Sequence, residues 1–347
     1  MGAKRSTIVT FVLGLVVGAA AVYALTAGSA APTIYTVTTA GSTSVYPISQ
    51  QWASYFHEEY PIIIVNPSSG GSGLGQSQVA SMLIDIGASS SYPSADYRTQ
   101  NPKVRVLPVV ADALAIVVNP SVNGTVFKLD VDMAVAIFQR NVTTWEQFES
   151  TFGVSVTATG SINVYARSDA SGTTATFCKW LESAPTNPNP NANFTWMLGS
   201  HESVSWVSGV NAVDGNPGVA AAVKGDPNGI GYVGFAFIED LTPALLYNHG
   251  NGEYVAPSIQ NALKALPNTL TNPGQNIMNS PVSGAYPIAR LLFYLVHEDN
   301  IKWYTLAFLF WCVTRGQQFV RDVGAVPING TSAAAYTLSV LAGLTPS

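Results

Sequence analysis

Three short segments of this 347-residue chain share one design: Gly41-Ser42-Thr43-Ser44, Ser68-Ser69-Gly70-Gly71-Ser72-Gly73 and Arg167-Ser168-Asp169-Ala170-Ser171-Gly172-Thr173-Thr174. Each sets hydroxyl residues and glycine between a run that reads as a strand and one that reads as a helix. A helix leaves its first N–H groups unpaired and carries partial positive charge at that end. Glycine lets a ligand approach the backbone, and Ser or Thr adds a hydroxyl donor. Any one of these segments could be an ordinary helix cap. Three of them, all at strand-to-helix turns, point to a convergent anion site. Arg167 adds a guanidinium that makes forked, charge-assisted bonds to an oxyanion, and Asp169 stands two residues on to hold it.

The elements that must position these turns follow from apolar periodicity. Val45, Ile48, Trp52, Tyr55 and Phe56 define one side of a helix over 44–60. Strands are expected over 33–39, 62–65, 85–88, 162–165, 230–237 and 285–296, and a long β-branched run over 104–118 that Pro108 and Asp112 should break. Helices are expected over 73–83, 131–138, 145–152, 173–181, 217–223, 303–320 and 332–341. Strands alternating with helices imply an α/β fold with a mainly parallel sheet.

Composition narrows the function classes. Apolar residues make up 47%, which excludes a disordered chain. Charged residues are 10%, against roughly 25% for an average soluble domain, so Ser, Thr, Asn and Gly must supply the polar surface. A net charge of −5 argues against a nucleic-acid partner. Lys4 and Arg5 precede an uncharged apolar run over 8–28, about long enough to cross a bilayer, which needs roughly 20 residues. Residues 1–31 therefore read as a signal peptide or a retained membrane anchor, with the remainder outside the cytoplasm. Cys178 and Cys312 read as two buried thiols. No G-x-S-x-G or H-E-x-x-H occurs, and His57, His201, His249 and His297 lack metal-ligand spacing. No catalytic residue, metal or cofactor is expected.

The order of AGSTSVYPISQQWASYF, SSGGSGLGQ, DIGASSS, DALAIVVNP, RSDASGTTATF, GNPGVAAAV, GIGYVGFAF and YPIARLLFYLVH resembles the phosphate-binding component of phosphate ABC transporters. The resemblance implies a periplasmic-binding-protein-like fold of two α/β domains, with two interdomain crossing strands and an anion in the cleft. Domain 1 would comprise 32–112 plus 287–347, and domain 2 residues 113–286. The resemblance implies binding by Thr43, Ser44, Ser68, Arg167, Ser171, Gly172 and Thr173, and ABC permease subunits as partners. Many members read Gly-Ala-Ser-Asp where this chain has Gly87-Ala88-Ser89-Ser90, and that Asp accepts a hydrogen bond from the proton on phosphate. Ser90 can donate but cannot discriminate in this way; another branch of the family pairs Ser here with an Asp at the place of Asp112. The sequence leaves open sulfate or another tetrahedral oxyanion as ligand, and a structural cell-surface role.

Overall fold

The computed structural model describes residues 32–122, 126–183 and 194–346. The proposed signal or anchor segment, 1–31, lies outside them. Among the described residues no helix is long and apolar enough to cross a membrane.

In chain order the elements are β1 (Tyr35–Gly41), α1 (Tyr46–Glu59), β2 (Ile63–Ser69), α2 (Ser72–Ala80), β3 (Ile86–Ser89), α3 (Ala95–Gln100) and β4 (Val104–Val118). Then come β5 (Lys128–Leu129), α4 (Val131–Phe138), α5 (Trp145–Phe152), β6 (Asn163–Arg167), α6 (Gly172–Glu182), β7 (Val210–Val213), α7 (Gly215–Gly225) and β8 (Gly229–Gly234). The chain closes with β9 (Thr242–Pro243), β10 (Leu245–Asn248), β11 (Glu253–Val255), α8 (Ile259–Leu263), β12 (Ala289–His297), α9 (Trp303–Val313) and α10 (Ser332–Leu341).

The main sheet runs β2-β1-β3-β12-β4-β8-β6-β7, with β9 also on β4. Its logic lies in β4. The first part of that strand, to Ala113, pairs antiparallel with β12; from Leu114 on it pairs with β8. One strand thus leaves the first lobe and enters the second, and the return strand β12 lies beside it. Around this seam the pairs β1–β2, β1–β3, β6–β7 and β6–β8 are parallel. Because β4 is antiparallel to both β12 and β8, β6 runs opposite to β1 and β2, and the turns leaving their ends approach the seam from its two sides.

Two differences from the sequence expectation have local causes. Residues 104–118 form one strand rather than a strand broken at Pro108 and Asp112. The register shifts between Leu292 and Phe293, so Val109 is the extra residue of a bulge. The carbonyls of Pro108 and Val109 are taken by Thr337 Oγ1 at 2.6 Å and Gln317 Nε2 at 2.9 Å. The helix expected over 303–320 ends at Val313 and continues as a 3-10 segment, Arg315–Val323. The backbone leaves the helical path at Thr314, φ −116° and ψ −90°. Gly316 then packs closely: a Cβ there would stand 2.9 Å from both Trp311 and Trp52, and its carbonyl accepts from Trp52 Nε1 at 2.8 Å.

The first lobe is packed on Trp52, Phe56, Leu107, Tyr294, Phe308 and Leu309, all at most 1% exposed. Fully burying such side chains stabilises by roughly 1.5–3 kcal/mol each. In the second lobe Phe138, Phe177 and Tyr232 form the aromatic centre, with Phe177 and Tyr232 stacked at 4.3 Å. Cys178 and Cys312 are buried free thiols; burial pushes both well up from the ordinary thiol value.

Candidate functional site

Two helix N-termini meet face to face where the lobes touch. From the first lobe, the turn after β1 brings Ser42, Thr43 and Ser44 to α1, all at most 9% exposed. From the second, the turn after β6 brings Ser171, Gly172 and Thr173 to α6. Ser171 caps α6, its hydroxyl accepting from the Thr173 and Thr174 N–H groups at 3.1 and 3.2 Å. Ser44 Oγ and Thr173 Oγ1 are 3.0 Å apart across the cleft.

Arg167, at the end of β6, is buried and forked onto Asp169: Nε donates to Oδ1 at 2.6 Å and Nη2 to Oδ2. Asp169 Oδ1 also accepts from Gly215 N–H at 3.2 Å. Burial works against the ionised carboxyl, but the Arg167 bonds and charge and the Gly215 N–H outweigh it and hold Asp169 below its ordinary value. The strand end is fixed from behind: Tyr232 Oη accepts from Arg167 N–H at 3.2 Å and bonds Thr174 Oγ1 at 2.6 Å.

A second arginine, which lies within YPIARLLFYLVH but is not among the expected site residues, stands at the centre. Arg290 on β12 donates to Asp112 Oδ2 from Nε at 3.1 Å and Nη2 at 2.7 Å. The same guanidinium reaches Ser44 Oγ and Thr173 Oγ1, each at 3.1 Å, and the Ser90 carbonyl at 3.4 Å. Burial pushes its proton affinity down, and the charge and bonds of Asp112 oppose this. Asn216, fully buried at the start of α7, donates from Nδ2 to Thr43 Oγ1 at 3.0 Å and Ser44 Oγ at 2.9 Å. Its Oδ1 accepts from Gly234 N–H at 3.2 Å. Both residues left a trace in the sequence. Arg290 is the one charged residue in the apolar run 285–296, and Asn216 opens a further Gly-bearing helix turn.

Thr43, Ser44, Ser90, Asp112, Ser171, Gly172 and Thr173 therefore gather within one buried polar cluster, with Arg167 at its edge. Ser68 is elsewhere: it is exposed, and its hydroxyl donates to the Thr39 carbonyl at 3.3 Å. The hydroxyl of that turn which reaches the cluster belongs to Ser72, 1% exposed, accepting from Ser90 N–H at 3.0 Å. Two arginines and two aspartates cancel in charge, so attraction for an anion comes from their geometry and from the two helix ends. Among the described residues no group of His, Cys, Asp and Glu could hold a metal ion.

Fold and cluster together define a two-lobed protein of the periplasmic-binding-protein type, with a buried cluster of hydrogen-bond donors where its lobes meet. A family model described as a PBP superfamily domain matches residues 26–315. The phosphate-binding protein PstS of Haemophilus influenzae is 30% identical over 307 residues, covering 84% of this chain and 88% of that protein. PstS of Methanocaldococcus jannaschii is 27% identical over 321 residues, covering 83% and 80%. Among solved structures, an ABC-type phosphate transport receptor from Vibrio cholerae superposes with a TM-score of 0.59 at 19% identity, covering 84% of this chain and 99% of that one. The chain belongs to the PBP superfamily, within the family of the PstS phosphate-binding proteins.

Proposed function

We propose that this chain captures inorganic phosphate between its lobes outside the cytoplasm and delivers it to an ABC permease, without catalysing a reaction on it. The lobes correspond to 32–112 plus 287–347 and to 113–286, and the N-terminal segment 1–31 directs export or tethers the protein to the membrane. One observation carries the reading: the N-termini of α1 and α6 face each other over Arg167, Arg290 and Asp112 in a buried cleft. Ser44, Thr173 and Arg290 donate to one another or to Asp112, and an anion would take those donors over. Thr43, Ser72, Ser90, Ser171, Gly172 and Asn216 complete the wall.

Asp112 supports phosphate over sulfate. A carboxylate has about four acceptor positions. Three are in use, two by Arg290 and one by Phe235 N–H at 3.2 Å. The remaining one suits the proton on phosphate; sulfate, which carries none near neutral pH, meets an uncompensated lone pair. Isothermal titration calorimetry of the full chain with phosphate and with sulfate tests the reading. Saturable heat with phosphate, and much weaker heat with sulfate, is expected. Absence of binding to either would overturn it.

A further inference from the structure

Glu202 lies in the segment between α6 and β7 and has no part in the anion cluster, yet it touches both lobes. Its main-chain carbonyl accepts from Ser171 N–H at 2.9 Å, the residue that caps the anion-facing helix α6. Its carboxylate Oε1 accepts from two groups of the opposite lobe, Gln76 Nε2 on α2 at 2.7 Å and Ser91 Oγ after β3 at 2.6 Å. Gln76 in turn donates to Ser89 Oγ at 3.0 Å, and that hydroxyl donates to the Ser91 carbonyl at 2.8 Å.

The segment bearing Glu202 is anchored to the second lobe. Trp206 Nε1 donates to the Arg167 carbonyl at 3.3 Å, and Trp206 packs on Trp196 at 6.2 Å. Next to Glu202 the lobes touch main chain to main chain, where Gly73 N–H donates to the Ala170 carbonyl at 3.1 Å. One residue thus has its backbone fixed to the cap of the anion helix and its charge fixed to the facing lobe.

We propose that Glu202 is the latch that holds the cleft shut: its carboxylate ties α2 and the β3 turn to the α6 cap and thereby sets the residence time of the bound anion. This rests on the two-lobed binding reading above. Bonds to an ionised acceptor are about twice as strong as neutral ones, and these two form only when the lobes meet. Glu202 touches none of the anion-facing donors except through Ser171 N–H, so it is a positioning residue. Its loss should act on departure of the ligand and leave encounter unchanged.

The test uses the full chain carrying spin labels at Ser77→Cys and Ser150→Cys, both exposed sites on opposite lobes. Interlobe distance is read by double electron–electron resonance, and phosphate kinetics by stopped flow. Glu202→Ala should lengthen the interlobe distance and raise the phosphate dissociation rate about 10-fold, with the association rate within about 2-fold of the parent. Glu202→Gln, whose amide oxygen still accepts from Gln76 and Ser91 but without the charge, should fall between the parent and Glu202→Ala in both. An unchanged distance in Glu202→Ala overturns the latch, as does a loss confined to association. If the parent binds no phosphate but Glu202→Ala still opens the lobes, the latch stands and the phosphate reading falls.

Discussion

Arg290 and Asp112 stand directly opposite each other on β12 and β4, and their side chains meet at 2.7 Å, each 5% exposed. The pair sits at the point where the chain passes between lobes, so one interaction belongs to both the hinge and the site. Desolvating two charges is costly, and a buried pair often contributes little net stability. Its value here lies in placing a guanidinium within reach of Ser44 and Thr173 at once.

A double-variant cycle separates these roles. Arg290→Met strands a buried carboxylate and should destabilise the fold by about 3 kcal/mol in urea melts. Adding Asp112→Leu should restore most of that loss. Phosphate binding should stay abolished in both, read by calorimetry.

Selectivity is expected to follow Asp112 separately from stability. In Asp112→Asn, with the carbonyl oxygen kept on Arg290, an amide N–H group stands where the proposed acceptor for the phosphate proton was. The ratio of phosphate to sulfate affinity should fall about 10-fold or more, since a hydrogen bond to a charged group contributes roughly 1.5–3 kcal/mol. An unchanged ratio in competition calorimetry would remove Asp112 from the discriminating role.

Arg167→Ala should lower phosphate affinity by roughly 10- to 100-fold for the same reason. The melting temperature should fall as well, because Asp169 then loses its forked partner while still half enclosed.

Gly172 marks a close approach of the lobes at the site. A Cβ there would stand 2.5 Å from Ser91 N, 2.7 Å from the Ser90 carbonyl carbon and 2.8 Å from Ser72 Oγ. Gly172→Ala should therefore keep the fold, seen by circular dichroism, while wedging the cleft and lowering phosphate affinity about 10-fold or more.

Away from the cleft, Asp132 gives a pH signature. It is 2% exposed and its Oδ2 has no hydrogen-bond partner. Burial, and then the charge of Asp130, push its carboxyl from 3.8 up to about 6. The folded state therefore holds a proton that the unfolded chain has released between those values. The stability this gives is complete below 3.8 and lost as pH rises through about 6. Asp132→Asn should raise stability by about 1–2 kcal/mol at pH 7 and change little at pH 4, as measured by chemical denaturation.

Much of this was legible in the chain itself. The apolar periods gave α4, α5 and α10 their bounds, and the Ser/Gly/Thr turns at Ser44 and Ser171–Thr173 marked helix ends that the fold places together. These features are local: a strand, a tight turn and a cap are set by neighbours a few residues apart. The sequence likewise singled out Arg167 and Asp169, which pair across the single residue Ser168.

What the tertiary structure decided is which distant groups share a space. Arg290 lies 178 residues from Asp112, and nothing in its apolar run tells which residue it will face. The register of β12 against β4 places them opposite each other. The same holds for Asn216 on Thr43 and Ser44, and for Ser72 rather than Ser68 reaching the cluster, since α2 turns Ser72 inward at its first residue. Pairing across a sheet and contact across a cleft depend on the whole packed chain, so no local pattern of residues could carry them.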